Sequence, residues 1–200
     1  MDVHTIATFL SLTYFTVKGD DNILKTCIVN IVMLNYTLLN FVTIGAVRYM
    51  KSCFFIGHRE ADERLLPVLR ETILRLITEE GVTDFYVGGY GGFDRVAGLA
   101  VKQIKEQHPQ ISLRLLIPYH PAERPIDPPD GYDGTYYPEG MEKVPNRYAI
   151  VKANKLMIDA SDWLITYVCH GASNSQMLLE YAQRAVKKGR LRMINLHILP

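Results

Sequence analysis

The stretch TDFYVGGYGGFDRVAGLAVKQI, Thr83 to Ile104, decides the fold. Thr83 to Gly88 is a short apolar run ending in glycine, which reads as a buried strand. Asp94 stands where it can cap a helix, and Val96, Leu99, Ala100, Val101 and Ile104 then recur at helical spacing up to the stop before Pro109. A strand running through a glycine turn into a helix is the repeating unit of an α/β sheet.

The same alternation extends in both directions from this unit. Lys51 to Gly57 (KSCFFIG) is another buried strand, and Leu65, Leu66, Leu69, Ile73, Leu76 and Ile77 form one apolar helical face, with Gly81 as its stop. Ile111 to Ile117 is a third strand. Residues 118–145 carry seven prolines and four interleaved tyrosines (Tyr119, Tyr132, Tyr136 and Tyr137), which predicts a long irregular lid or binding loop. A helix over 147–160, a strand over Trp163 to Val168, a helix over Gln176 to Lys188 stopped by Gly189, and a fifth strand over Leu191 to Leu196 complete the series. The expected architecture is a single Rossmann-like α/β domain, a parallel sheet with helices on both faces.

Residues 1–49 do not share this pattern. They hold six charged residues in 49, against 37 in the following 151, and none of the ten prolines. Thr26 to Val47 is free of charge for 22 residues, long enough to cross a bilayer, but Asn30, Asn35 and Asn40 are costly there. Residues with AT-rich codons (Phe, Tyr, Met, Ile, Asn, Lys) outnumber those with GC-rich codons (Gly, Ala, Arg, Pro) by 19 to 5 here, and the two groups are 42 and 43 afterwards. The expectation is that Met50 is the true start and residues 1–49 a doubtful extension. A membrane anchor and a folded extension are the alternatives.

Over the 200 residues the formal net charge is +1, which argues against a polybasic nucleic-acid or membrane partner. Three cysteines, Cys27, Cys53 and Cys169, make neither a C-x-x-C pair nor an even framework, so a reducing, cytoplasmic setting is the default. The six histidines show no metal-ligand spacing, so no metal and no separate cofactor are expected.

In a parallel sheet, ligands bind outside the carboxyl ends of the strands, at the point where strand order reverses. Three junctions fall there. Gly57-His58-Arg59 offers an arginine for a phosphate, or an ion pair with Glu60 or Asp62. Gly88, Gly89, Gly91, Gly92, Phe93 and Asp94 form a turn whose backbone N–H groups could approach an anion, although its spacing is neither dinucleotide nor Walker type. Gly171, Ala172, Ser173, Asn174 and Ser175 open the next helix, as caps or as contacts to ribose and phosphate.

The series CFFIGHR, GGYGGFD, a proline after the third strand, NKLMIDASDWLI, and a small-residue loop before LLEYAQ resembles the SLOG superfamily, nearest its YpsA-like branch. The resemblance covers residues 50–200. It implies a Rossmann-like sheet binding nucleotides or nucleotide-derived ligands in regulatory or sensing roles. Relatives in the superfamily include LOG-type phosphoribohydrolases and the single-stranded DNA-binding DNA-processing protein A group. Gly57, Arg59, Gly88, Gly89, Gly92, Phe93 and Asp94 match its first loops, and Asn154, Met157, Asp159 and Asp162 a later segment. The hydrolases place an Arg where this chain has Ala153 and a catalytic Glu where it has Leu178. Enzymatic status is thus left open, with Glu180 and Asp94 as candidate carboxylates. The expected partner is a nucleotide-derived small molecule, with a homo-oligomer left open. Hydrolysis of an N-glycosidic bond and single-stranded DNA binding are the alternatives.

Overall fold

The computed structural model describes residues 50–169 and 173–197. The expectations for residues 1–49, and for Gly171 and Ala172 as ligand contacts, fall outside them.

Six parallel strands build the domain: β1 (Lys51–Gly57), β2 (Val82–Val87), β3 (Ser112–Leu116), β4 (Gly134–Tyr136), β5 (Trp163–Tyr167) and β6 (Arg192–Asn195). Between them run α1 (Leu66–Glu80), α2 (Gly92–Lys105), α3 (Asn146–Ala160) and α4 (Asn174–Lys187), with a 3₁₀ turn at Glu63–Leu65 ahead of α1. The sheet order is β4-β3-β2-β1-β5-β6. The chain steps outward from β1 to β4, then returns to β5 on the other side of β1. The order therefore reverses between β1 and β5, and the expected Rossmann-like α/β class holds.

The sequence of β1 shows why it is central. Phe54 and Phe55 point to opposite faces, as neighbours on a strand must, and both are fully buried. Phe55 packs with Phe85, Phe93, Leu69 and Ile73, the core under α1 and α2. Phe54 packs with Leu164, Met157, Leu178 and Ala182, the core under α3 and α4. Each such side chain contributes roughly 2–3 kcal/mol by leaving water. Burial on both faces is what a continuous apolar run predicts, in contrast to an alternating one.

Helix ends follow their local chemistry. Gly81 ends α1 in the left-handed region at φ 71°. After α4, the N–H of Gly189 donates to the Val186 carbonyl at 2.8 Å and that of Arg190 to Ala185 at 3.1 Å, a Schellman closure. Asp162 ties the starts of two strands together, accepting from the Ser52 N–H at 2.8 Å.

One expectation is corrected. The proline-rich stretch is not wholly irregular, because Gly134–Tyr136 pairs in parallel with β3 as the sixth strand. It is an edge strand of three residues, so the prolines before and after it forfeit no ladder hydrogen bond. Asp133 anchors it by accepting from the Leu113 N–H at 2.7 Å and pairing with Lys105.

Candidate functional site

A cleft opens at the carboxyl ends of β1, β2 and β3 and reaches across to the first turn of α4. Its empty space is about 670 Å³, counted to its open mouth. Gly57, Arg59, Gly88, Gly91, Asp94, Asn154, Asn174 and Ser175 all line it, so eight residues singled out in the sequence meet in one place. The rest of the wall is apolar apart from the Tyr90 hydroxyl, and Ala153 and Leu178 belong to it.

Arg59 is exposed, at the end of β1. Its ion-pair alternative fails on Asp62. That carboxylate is gripped by Arg64, whose Nε lies 3.0 and 2.9 Å from its two oxygens, while a terminal nitrogen donates at 2.7 Å. The Arg64 hydrogen bonds hold Asp62 below the usual carboxylate range. Among the described residues the Arg59 guanidinium meets no carboxylate, Glu60 included.

The glycine turn differs from its expected form. The N-cap of α2 is Gly91, so Asp94 is the third helical residue and not the cap. From there its carboxylate reaches back, accepting from the N–H of Tyr90 at 3.0 Å, with the N–H of Gly91 also favouring its charge. This is the backward half of a capping box. The next two donors are also spent: Gly92 N–H on the Arg59 carbonyl at 3.0 Å and Phe93 N–H on the His58 carbonyl at 3.2 Å. Three N–H groups of a turn read as an anion cradle, those of Tyr90, Gly92 and Phe93, are satisfied from within.

The glycines are there for closeness. A Cβ on Gly92 would lie 2.3 Å from the carbonyl oxygens of both Arg59 and Ala61, and one on Gly88 would lie 2.7 Å from Asp94 Oδ2. Asp94 is thereby closed in. Burial pushes its carboxyl up to about 6, against the opposing pull of the Tyr90 and Gly91 N–H groups.

The first turn of α4 has fewer of its donors engaged among the described residues. Ser173 is the N-cap and its Oγ accepts from the Gln176 N–H at 3.2 Å, so Ser173 is spent as a cap. Ser175 Oγ donates to the Gly57 carbonyl at 2.8 Å and pins α4 to the end of β1. The N–H groups of Asn174 and Ser175 meet no acceptor among the described residues. First-turn donors of this kind carry the positive end of the helix dipole.

Other candidates stand apart from the cleft. His58 is buried and its Nε2 accepts from the Cys169 N–H at 2.9 Å, so it braces the β5 exit instead of facing a ligand. Phe93 is fully buried in the core and Gly92 lies against the carbonyls of Arg59 and Ala61. Gly89 lines a second cleft across the turn, with Arg95, Lys102 and Tyr132. Glu180 is exposed on α4, outside the cleft wall, where Gln176 Nε2 donates to it at 3.3 Å. Among the described residues no group of three His, Cys, Asp or Glu could hold a metal ion, and no helix is long and apolar enough to cross a membrane.

Tyr90, from the glycine turn and not from the proline-rich loop, brings an aromatic ring to the cleft. It lines the cleft at 39% exposure, and burial raises its hydroxyl's pKa, with Tyr119 close enough to add to the rise. Tyr119 in turn lies under the Arg124 guanidinium, 4.3 Å from ring centre to carbon. The available signal was an aromatic residue placed between two glycine pairs.

No family model matches the chain, and no curated protein matches it. Among solved structures, the X-ray structure of DNA processing protein A from Streptococcus pneumoniae is similar at 12% identity and a TM-score of 0.43, over 72% of this chain. The match spans 58% of that protein's chain. The fold and the site together define a Rossmann-like α/β domain with a cleft at its topological switch point.

Proposed function

We propose that residues 50–200 bind a nucleotide or nucleotide-derived small molecule in a regulatory or sensing role. The observation that carries this is Arg59, an arginine with no carboxylate partner among the described residues, lining one cleft with the Asn174 and Ser175 end of α4. A guanidinium and a helix start with open N–H groups are complementary to phosphate. The apolar wall that includes Ala153 and Leu178, with Tyr90 at the rim, suits a planar base. The resemblance to SLOG proteins of the YpsA-like branch points the same way.

Binding is favoured over N-glycosidic hydrolysis by the two cleft positions that the resemblance would fill with a catalytic pair. Ala153 and Leu178 both line the cleft, and neither can protonate, polarise or position water. Glu180 is turned out of it, which leaves Asp94 as the carboxylate lining the cleft. Single-stranded DNA is disfavoured because, among the described residues, Arg59 is the one cation lining this cleft, too few to track a phosphate backbone.

Calorimetric titration of the purified chain with the four nucleoside 5′-monophosphates tests the reading. Binding should occur and should weaken at least tenfold in Arg59→Ala, since charge-assisted contacts to phosphate are the strong ones. If no nucleotide binds the wild type, the reading is wrong. Release of free base abolished by Asp94→Asn would replace it with the hydrolase.

A further inference from the structure

We infer that Asp94 sets the ligand's orientation and selects ribose: its carboxylate already fills the anion seat of the glycine turn, so the vicinal hydroxyls of a ribose dock there and the phosphate lies toward Arg59 and α4. This rests on the nucleotide reading of the cleft and names which part of the ligand meets which wall.

The turn has the form of a phosphate cradle, but a carboxylate and two carbonyls already hold three of its donors. Tyr90 donates its N–H group to Asp94, Gly92 donates to the carbonyl of Arg59 and Phe93 to that of His58. A phosphate placed against this turn would find a carboxylate where it needs an N–H group. Like charges at that spacing repel, and burial magnifies the repulsion.

Asp94 is nevertheless part of the cleft wall. An ionised carboxylate offers about four lone-pair positions, and the Tyr90 N–H occupies one of them. The remaining acceptor capacity faces a site in which the protein supplies no further side-chain donor to Asp94 among the described residues. A ligand group that donates hydrogen bonds complements it, and a group that accepts them does not. Adjacent hydroxyls on one sugar supply two donors at the spacing of two carboxylate oxygens.

Gly88 adds a second, independent constraint. Any side chain there would press on Asp94 Oδ2, which would lie 2.7 Å from its first carbon. The backbone is thus bare where the carboxylate stands, and the ligand reaches Asp94 without passing a side chain from β2. On the far side of the cleft the open N–H groups of Asn174 and Ser175 remain for the phosphate. The two ends of a nucleotide therefore meet an acceptor wall and a donor wall.

The test uses the full chain and three probes: each nucleoside 5′-monophosphate, its 2′,3′-dideoxy counterpart, and inorganic phosphate. In the wild type the ribonucleotide should bind about tenfold more tightly than the dideoxy form, the value of a hydrogen bond to a charged acceptor. In Asp94→Ala the two should agree within about twofold, and inorganic phosphate should raise the melting temperature by more than it does in the wild type, because the Tyr90 N–H group is released and the carboxylate's charge is gone. Asp94→Asn keeps the packing and one acceptor, guards against a misfolded alanine variant, and should fall between. Equal binding of ribo and dideoxy forms to the wild type overturns the ribose assignment and leaves the nucleotide reading standing. An alanine or asparagine variant that keeps the full ribose preference overturns it as well. Failure of every nucleotide to bind the wild type overturns the nucleotide reading itself, and the ribose assignment with it.

Discussion

The turn from β2 into α2 and the turn from β5 into α4 lie at the same sheet edge and line one cleft, yet they are built on opposite principles. The first has four glycines and looks made for an anion. Three of its donors are engaged, that of Tyr90 by Asp94 and those of Gly92 and Phe93 by the carbonyls of Arg59 and His58. The second has a plain run of small polar residues, and its Asn174 and Ser175 N–H groups are open among the described residues. Glycine content alone therefore does not mark an anion site. At Gly92 it marks close packing of backbone on backbone, and the turn with fewer glycines presents two open donors among the described residues.

Gly92 offers the strongest way to break this contrast. A methyl group there would sit 2.3 Å from two carbonyl oxygens, which are backbone and cannot rotate away. Gly92→Ala should cost about 3 kcal/mol or more in urea denaturation, at the upper end of overpacking effects. Gly89→Ala is the control: its Cβ would meet Leu115 Cδ1 at 3.4 Å, an ordinary contact, and stability should change by less than about 1 kcal/mol. Equal losses would show that the turn is not held by closeness at Gly92.

Asp94 gives the next largest effect, and its sign is set by burial. The folded state raises the carboxyl pKa from 3.8 to about 6, so the native chain holds that proton more tightly than the unfolded chain. Stability from this group therefore rises as pH falls from 6 toward 4, and above 6 the ionised form costs about 3 kcal/mol at most. The bonds from Tyr90 and Gly91 are already counted in that net shift. Asp94→Asn should be more stable than the wild type by about 1–3 kcal/mol at pH 8, with the gap closing below pH 5. A variant less stable at pH 8 would mean that the two backbone bonds outweigh burial.

How much of this was legible depended on the range of the interactions. The strands came from local apolar runs, and β1 was readable because Phe54 and Phe55 are adjacent and both need burial. β4 was not, because Gly134, Thr135 and Tyr136 are too few to show a period and their pairing partners on β3 lie about 20 residues back. The cleft's location followed from strand order, which local patterns imply. Its chemistry did not. Gly92 and Phe93 donate to carbonyls 33 and 35 residues earlier, so nothing near the turn says its donors are taken. The freedom of Arg59 was equally hidden, since Arg59 and Arg64 flank Asp62 and the 3₁₀ turn at Glu63–Leu65 decides which of them binds it.

The smallest effect is at Ser173, and it probes the open turn from its other side. Ser173 Oγ satisfies one donor of the first turn of α4, the Gln176 N–H, and leaves those of Asn174 and Ser175. Removing it in Ser173→Ala should cost about 1 kcal/mol, the usual value of an N-cap hydroxyl, read by urea denaturation. The loss stays small because α4 is held chiefly by burial of Leu178, Leu179, Ala182 and Ala185, and its start is pinned separately by Ser175 on the Gly57 carbonyl. The cap fixes where the helix begins more than whether it forms. Fraying that first turn would scatter the two open N–H groups, so phosphate-dependent stabilisation should fall in the variant by more than the cap energy alone accounts for. A loss of 3 kcal/mol or more would place this turn in the same rigid class as the glycine turn, and the contrast between the two would reduce to sequence composition.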